Sequence, residues 1–357
     1  MPQRRSQYTQ ADSSFRDKEM QTDEPLQRRH QTPHHRLKGC FFWFLLFFVV
    51  VLLAGGHYIY QKYRTAHSTI NTIHKETGVQ KARDTQAALK QGRPISFLLM
   101  GTDTGALGRT YKGRTDTLVL AVLNPKSEAM TLVSLPRDTK VAVYGHESDY
   151  PAKLNAAYAY DGSASAVRTV QKYLNVPIDY YATINMGGLE NLINAVGGVD
   201  VSPTLTFSYA GYSFTKGQKT HMNGKKALAY VRMRYSDPQG DYGRQERQRQ
   251  VLMSVAMEAT QVENLLNEKF LNTVSKQMTT DLSFNDMLLL AAKYRKATHH
   301  MNSTHLQGQS SMISGQSFEV PDESEKQRIT DLLRKALDLS PDQTGSTLSS
   351  SDEINVN

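Results

Sequence analysis

The feature that most restricts what this chain can fold into is an uninterrupted apolar run near its N-terminus. From Cys40 to Tyr60 the sequence reads CFFWFLLFFVVVLLAGGHYIY, with no Asp, Glu, Lys or Arg. About 20 residues at a rise of ~1.5 Å cross a hydrocarbon core of ~30 Å, so the run predicts one transmembrane helix at residues 39–60. A buried core helix is the alternative, although so aromatic a run is unusual there. The length of the run disfavours a cleaved signal peptide.

Flanking charges predict the orientation of this helix. Four basic residues precede the run and two follow it: Arg28, Arg29, Arg36, Lys38, Lys62 and Arg64. The denser positive flank is expected to face the cytoplasm. The helix would then be a single-pass anchor in the cell membrane, and the chain beyond residue 60 would lie outside the cytoplasm. Cys40 is the only cysteine, so an internal disulfide and a cysteine-based zinc cluster are excluded. An exported domain without disulfides is typical of a Gram-positive-type envelope.

Polar segments divide the rest of the chain. Residues 1–38 are rich in Gln, Arg, His and Thr and lack apolar periodicity, which predicts a disordered cytoplasmic tail. Residues 61–93 are polar and favour a helical extracytoplasmic stalk. Residues 339–357 are rich in Ser, Asp and Thr, which predicts a disordered C-terminal tail. One folded domain is therefore expected at 94–338.

Strand and helix patterns alternate within this domain. Short apolar runs predict strands at 95–101, 117–123, 129–135 and 180–186, the second and third joined as a hairpin by Asn-Pro-Lys-Ser. Apolar spacing of three and four predicts helices at 163–176 and 188–196, and a long helix beginning near Asp241. The fold class is therefore α/β, with a central mixed β-sheet covered by helices and preceded by one transmembrane helix.

Acidic residues stand at the ends of two predicted strands. Asp103 follows the first strand, Asp116 opens the second, and Arg114 precedes Asp116 by two residues. Two carboxylates at strand ends suit a hard cation such as Mg²⁺, whose octahedron water and a substrate phosphate complete. In the alternative interpretation Asp103 caps a loop and Arg114 neutralises Asp116. Arg137 and Asp138 follow the third strand, either as part of the same site or as a surface ion pair.

Arginines dominate a third polar cluster. They are followed by a glutamine within the predicted long helix: Arg232, Arg234, Arg244, Arg247, Gln248 and Arg249. Arginine favours bidentate recognition of phosphate oxygens, and the net charge of +8 favours anionic partners. If Asp241 caps the helix, Arg244, Arg247 and Gln248 share one face and Arg249 lies off it. The alternatives are a solvated basic face and nucleic-acid binding, which the membrane span disfavours.

These clusters, in this order, resemble the LytR-CpsA-Psr family of envelope phosphotransferases. The matching segments are LLMGTD (98–103), GRTDTLVLAVLNP (113–125), LVSLPRDT (132–139), KLNAAYA (153–159), NAVGGVDV (194–201), ALAYVRMR (227–234) and DYGRQERQ (241–248). The resemblance implies an α-β-α fold. It also implies transfer of a glycopolymer (teichoic acid, capsule or another wall polysaccharide) from undecaprenyl pyrophosphate to peptidoglycan, by Mg²⁺-assisted phosphoryl transfer.

The resemblance also implies roles for individual residues. Asp103 and Asp116 match the metal-binding aspartates, and with Arg114 and Arg137 they form the expected catalytic set. The expected pyrophosphate-binding set is Arg114, Arg137, Arg232, Arg234, Arg244, Arg247 and Gln248. Expected partners are the lipid-linked polymer, peptidoglycan and the bilayer, without nucleic acid. Two other functions remain open: a non-catalytic envelope sensor or transcriptional attenuator that binds polyprenyl-phosphate lipids, and a lipid pyrophosphate hydrolase.

The topology can be tested with protease. In intact, wall-stripped cells, added protease should digest the domain after residue 60 and spare an epitope placed in residues 1–38, because only the domain is expected to lie outside. Lysed cells, in which both ends should be digested, are the control. A protected domain would overturn this orientation.

Overall fold

A computed structural model describes residues 37–102, 113–234, 237–259 and 267–346. By contacts the chain separates into two units, Met1–Gly56 and His57–Asn357. In the first unit the described residues are helical, and the side chains from Phe48 to Leu53 are exposed. When length and hydropathy are judged together, no helix among the described residues qualifies as a membrane span.

Ten α-helices lie in the described parts of the chain. Their bounds are α1 Leu37–Ile73, α2 Thr85–Gln91, α3 Ala156–Asp161, α4 Ser163–Leu174, α5 Leu189–Ala195, α6 Gly224–Arg232, α7 Asp241–Ala259, α8 Glu268–Gln277, α9 Phe284–Lys293 and α10 Glu323–Ala336. Side-chain caps fix several of their starts. Ser283 and Asp286, for example, form a reciprocal capping box at α9. The helices predicted at 163–176, at 188–196 and from Asp241 are confirmed as α4, α5 and α7.

Among the described residues, six strands form the central sheet and eight short strands form hairpins and pairs around it. The central strands are β1 Ile95–Thr102, β2 Thr115–Asn124, β3 Ala129–Leu135, β6 Tyr180–Asn185, β11 Met278–Thr280 and β12 His300–His305. The others are β4 Lys140–Val141, β5 Ala152–Lys153, β7 Val199–Val201, β8 Phe207–Tyr209, β9 Tyr212–Phe214, β10 Thr220–Met222, β13 Gln309–Ile313 and β14 Gln316–Val320.

The central sheet is mixed, as the sequence predicted. Its order is β11-β6-β1-β2-β3-β12, with β1 parallel to β6 and β3 parallel to β12, and with antiparallel pairing elsewhere. The predicted hairpin is β2–β3, closed by the pair Asn124↔Ala129. The Asn124 side chain accepts hydrogen bonds from the Lys126 and Ser127 amides inside the turn, each at 3.1 Å, which explains why this turn forms locally.

Helices cover both faces of the sheet. On one face Leu118 and Leu120 pack in a cluster with α3, α4 and α10. On the other face Val119 and Ala121 pack in a cluster that includes residues of α2, α7 and α9. Successive strand residues point to opposite faces, so both sides of β2 are buried. The result is the three-layer α-β-α arrangement expected for this class.

Part of the segment predicted as a stalk belongs to the core. Ala66, Ile70 and Ile73 of α1 are at most 2% exposed and pack in a third cluster with α5, α6 and α7. Farther along, the Arg83 Nε donates to the Asp179 carboxylate at 2.8 Å, and Asp179 is fully buried. The Ser96 amide also donates to Asp179, at 2.8 Å. This charged contact ties residues before the sheet to the beginning of β6.

At the other end of the domain, residues assigned to the C-terminal tail also touch the fold. The Thr344 hydroxyl bonds to that of Thr330 on α10 at 2.9 Å, and Gln327 donates to the Asp342 carbonyl at 2.9 Å. The folded part therefore extends several residues beyond the predicted boundary.

Replacing Arg83 should unfold the domain more easily. Arg83→Ala leaves the Asp179 carboxylate buried without its cation, a change that costs about 3–5 kcal/mol in comparable buried pairs. Urea denaturation of the purified domain measures this cost. Arg93→Ala is the matched control because the Arg93 side chain is exposed. Equal midpoints for the two variants would show that the Arg83–Asp179 contact does not stabilise the domain.

Candidate functional site

Four ends of central strands meet at one edge of the sheet. β1 ends at Thr102, β2 begins at Thr115, β3 ends at Leu135 and β12 ends at His305. The pairing directions bring all four to the same edge, which we call the polar strand end. Ligands of open α/β sheets bind at such edges. Asp103, which follows β1, lies outside the described residues, so its predicted role as a metal ligand stays a prediction.

Asp116 occupies an irregular position at this edge. Thr102 pairs with Thr115 and Gly101 pairs with Thr117, so Asp116 is the extra residue of a β-bulge. Bulges often re-aim a side chain beside a functional site. The Asp116 carboxylate accepts a hydrogen bond from the Arg137 Nη1 at 2.7 Å, and both side chains are about one-third exposed, at 36% and 30%.

Arg137 joins two carboxylates. Its Nε lies 3.3 Å from Asp138, whose other oxygen lies 3.0 Å from the Lys153 Nζ. The predicted Arg137–Asp138 pair is therefore present, and it belongs to a chain of four charges that begins at Asp116. Both predicted strand-end residues, Asp116 and Arg137, are thus in contact and partly open to solvent.

Three of the predicted phosphate-binding arginines are exposed. Arg114 immediately precedes β2, Arg232 is the last residue of α6 and Arg234 follows two residues later. The helix α6 continues through Arg232, and the chain becomes extended at Met233. The side chains of Arg232 and Arg234 make no hydrogen bond or ion pair within the described ranges. They are therefore available to an anionic ligand.

The start of α7 lies over β2. Gln248 is buried, and its Oε1 accepts a hydrogen bond from the Thr117 hydroxyl at 2.9 Å. Arg244, one helical turn earlier, is only 3% exposed. Thr117 follows the bulge residue Asp116 directly, so its hydrogen bond to Gln248 connects α7 to the polar strand end.

Arg247 is placed differently from the other predicted ligands. It is 0% exposed, and its guanidinium donates to the Tyr230 carbonyl at 3.1 Å and to the Met233 carbonyl at 2.6 Å. Its third partner is the Asp237 carboxylate. These contacts hold the end of α6 against α7, so the geometry favours a structural role for Arg247. Its predicted contact with pyrophosphate is unsupported by this placement.

Arg249 is also buried, although the sequence placed it off the helix face that Arg244 and Gln248 share. Its Nη1 donates to the Ser134 hydroxyl at 2.7 Å and to the Thr304 carbonyl at 2.8 Å, and it pairs with Glu246. Burial lowers the pKa of Arg249 to about 10. It is therefore unsuited to serve as a neutral control for substitutions elsewhere in the cluster.

The carboxylates at the polar strand end are compatible with a divalent cation. Mg²⁺ is commonly held by one or two carboxylates together with water and substrate phosphates. Asp116 supplies one such carboxylate and is partly exposed. Within the described residues, no group of three or more His, Cys, Asp and Glu side chains is arranged to hold a metal alone. The donor set thus fits a cation that a phosphate ligand helps to bind.

A cavity of about 290 Å³ lies beside this edge. It is lined by Ser134, Gln239, Tyr242, Gln245, Glu246, Arg249, His305 and Gln307. Sequence reasoning found none of these residues except Arg249, because their proximity depends on how α7 packs across β3 and β12. Burial, and after it the nearby Arg249 cation, lowers the pKa of His305 below its ordinary value.

A larger cavity, of about 720 Å³, lies between α5 and α8. Seven of its eight lining residues have polar or charged side chains, and the lining comprises Asn191, Asn194, Ala195, Lys269, Asn272, Thr273, Lys276 and Gln277. It contains none of the site residues predicted from sequence. Its size alone does not connect it with the charged residues described above.

Comparison with known proteins agrees with the family resemblance of the sequence motifs. The LytR_cpsA_psr family description matches residues 57–335. A relative from Enterococcus faecalis, named polyisoprenyl-teichoic acid–peptidoglycan teichoic acid transferase TagU, is 45% identical over 260 residues, which is 72% of this chain and 85% of the relative.

Solved structures agree with the fold. The crystal structure of Bacillus subtilis TagU superposes with a TM-score of 0.57 at 35% identity, covering 69% of this chain and 97% of that protein. An Enterococcus faecalis protein described as a transcriptional regulator superposes with a TM-score of 0.61 at 37% identity, covering 71% of this chain and 91% of that protein.

The two kinds of arginine should respond differently to truncation. Arg247→Ala leaves Asp237 and two carbonyls without their buried partner, so we expect a loss of about 3–5 kcal/mol in the free energy of unfolding. Arg234→Ala, on the exposed side, should change that free energy by less than about 0.5 kcal/mol. Urea denaturation of the two purified variants measures each free energy of unfolding. An Arg247→Ala variant as stable as Arg234→Ala would contradict the structural role.

Proposed function

The chain belongs to the LytR_cpsA_psr family, and on that premise we propose that it transfers a wall glycopolymer from a polyprenyl-pyrophosphate carrier to peptidoglycan. The names of its relatives support a teichoic acid as the polymer. The observation that carries the proposal is the arrangement at the polar strand end, where exposed Arg114 precedes β2 and the partly exposed side chains of Asp116 and Arg137 are in contact. Undecaprenyl pyrophosphate is the proposed donor.

The proposed reaction makes one bond to phosphorus and breaks one. A peptidoglycan hydroxyl oxygen attacks the phosphorus that carries the glycopolymer, and the bond from that phosphorus to the bridging oxygen breaks. Polyprenyl phosphate leaves, and the hydroxyl proton passes to a base or to water. Such a reaction needs positioning and cations near the phosphate oxygens more than it needs covalent help. Exposed arginines are suited to this task because their donors match phosphate geometry.

Each group of residues has a proposed part in this reaction. Arg114, Arg232 and Arg234 hold the pyrophosphate, since all three side chains are exposed. Arg137 orients the Asp116 carboxylate through their 2.7 Å hydrogen bond. Gln248 and Arg244 form a wall of the site on α7. Arg247 acts only by keeping α6 against α7, through its contacts with Tyr230 and Met233.

We propose Mg²⁺ as the cofactor. Asp116, with Asp103, would hold it, and when bound it would neutralise charge on the phosphate oxygens. We also propose that residues 39–60 anchor the chain in the cell membrane with the transferase domain outside, where both the lipid carrier and peptidoglycan are accessible. The apolar composition of Cys40–Tyr60 and the flanking charges support this placement.

A binding protein without turnover is the second candidate, and the regulator name of one solved neighbour favours testing it. The test is to incubate the full chain in detergent with lipid-linked glycopolymer and a peptidoglycan oligomer, with and without Mg²⁺. A covalent polymer–peptidoglycan product that requires Mg²⁺ is the expected result. Binding of the lipid without product would favour the sensor, and release of free polymer phosphate would favour the hydrolase.

Truncation of an exposed arginine should weaken binding of the lipid pyrophosphate. A hydrogen bond to a charged group contributes roughly 1.5–3 kcal/mol, so Arg232→Ala or Arg234→Ala should raise the Kd for a short-chain prenyl pyrophosphate roughly tenfold or more. Arg→Lys should recover part of the loss, because lysine keeps the charge but not the two-pronged geometry. Isothermal titration calorimetry measures each Kd.

Lys225 provides the matched control. It is an exposed cation at the other end of α6. Lys225→Ala removes the same charge and should leave the Kd within about twofold at moderate salt, because screening limits distant charges. If Lys225→Ala weakens binding as much as Arg232→Ala, attraction is diffuse and the assigned contacts are absent.

A further inference from the structure

We propose that the cavity between α7 and the end of β12 binds one neutral, hydroxyl-rich sugar ring. This inference deepens the proposed function and rests on it for the kind of molecule that carries the sugar. The polar strand end accounts for phosphate but leaves open where the sugars next to it are held.

The cavity is built from polar side chains held by rigid elements. Four of its eight lining residues share one face of α7, because Tyr242, Gln245, Glu246 and Arg249 are spaced i, i+3, i+4 and i+7. Ser134 belongs to β3, and His305 is the last residue of β12. Gln239 and Gln307 are exposed at the rim, whereas Ser134, Gln245 and Arg249 are buried at the floor. A cavity with no aliphatic side chain in its lining is suited to a polar ligand.

The charged side chains in the cavity are paired with each other, whereas the exposed arginines are not. Arg249 pairs with Glu246, and the Tyr242 hydroxyl donates to Glu319. Burial lowers the pKa of His305 below its ordinary value; of the charged groups that face it, Arg249 and Arg328 lower this pKa further, whereas Glu325 and Glu319 raise it. A phosphate would meet Glu246 without an excess cation. An uncharged ligand fits this environment better.

The remaining groups match sugar hydroxyls. Glutamine side chains both donate and accept hydrogen bonds, as hydroxyls do, and Gln239 and Gln307 place two of them at the rim of the cavity. The rings of Tyr242 and His305 lie 4.8 Å apart between centroids and form an aromatic patch. The volume of about 290 Å³ is at the lower limit of small-molecule sites, which fits one ring better than an extended chain.

The position of the cavity connects this sugar with the proposed reaction. Ser134 on its floor lies three residues before Arg137, and Gln245 follows Arg244 directly. A ring bound here would lie next to the proposed pyrophosphate site. Two sources have this chemistry: the first sugar of the donor, attached to its phosphate, and a sugar of the peptidoglycan acceptor.

The test blocks the rim without disturbing the floor. Gln307→Trp places a large side chain at an exposed rim position, and the hydrogen bond from the backbone amide of this residue to Glu325 is retained. Gln218→Trp is the matched control, since Gln218 is an exposed glutamine between β9 and β10, outside the cavity. Thermal denaturation should show both variants folded.

Three probes are used with the full chain in detergent. They are a β-1,4-linked N-acetylglucosamine disaccharide, a short-chain prenyl pyrophosphate, and the same pyrophosphate carrying one N-acetylglucosamine. We expect Gln307→Trp to weaken binding of a sugar-bearing probe at least tenfold and to leave the Kd of the bare pyrophosphate unchanged. Gln218→Trp should match the unaltered protein throughout.

The three probes distinguish the two possible sources of the sugar. If the attached sugar increases affinity in the unaltered protein but not in Gln307→Trp, the donor sugar occupies the cavity. If the free disaccharide binds together with the sugar-bearing pyrophosphate and Gln307→Trp abolishes its binding, the acceptor occupies it. Equal affinities of Gln307→Trp and the unaltered protein for all sugar-bearing probes, or no sugar binding at all, would overturn the inference.

The inference and the proposed function can fail separately. If the unaltered protein transfers polymer and Gln307→Trp keeps the same KM for both substrates, the cavity inference fails and the transferase stands. If Gln307→Trp removes sugar binding but the unaltered protein forms no product with any donor, the transferase fails and the cavity remains a sugar site.

Discussion

The polar contacts of three consecutive residues hold α7 in place, and the arrangement of the site depends on them. Arg247 binds carbonyls at the end of α6, Gln248 binds Thr117 of β2 and Arg249 binds Ser134 of β3. Charged groups are costly to bury unless they are paired and hydrogen-bonded. Because their partners belong to three different elements, these bonds are satisfied together only in one position of the helix. That position also sets where Arg244 and the cavity face of α7 point.

One residue type therefore serves two purposes in this domain. Arg247 and Arg249, buried in α7, connect elements, whereas Arg232 and Arg234 lie at the surface where a ligand can reach them. The difference matters for chemistry, since a phosphate must enter, react and leave, and an exposed guanidinium can exchange water for phosphate at modest cost. A buried guanidinium that already binds carbonyls would first have to break those bonds.

Periodicity and turn chemistry were enough to predict the α/β class, the β2–β3 hairpin and helices α4, α5 and α7, because these depend on neighbouring residues. The burial of Arg247 was not predictable in this way, since its partners at Tyr230 and Met233 lie on another element. The packing of α1 is an intermediate case. Ala66, Ile70 and Ile73 recur at helical spacing, so the sequence contained a signal that residues 61–93 contribute to the core. The residues of the cavity meet only through tertiary packing, which no local pattern encodes.

A crystal structure of the domain with a short-chain prenyl pyrophosphate and Mg²⁺ tests the central claim most directly. The account predicts that the pyrophosphate lies at the polar strand end, with Arg232 or Arg234 within hydrogen-bonding distance of its oxygens. It also predicts that Arg247 keeps its contacts with α6. A pyrophosphate bound elsewhere, such as among the lysines between α5 and α8, would contradict it, as would an Arg247 that leaves α6 to bind the phosphate.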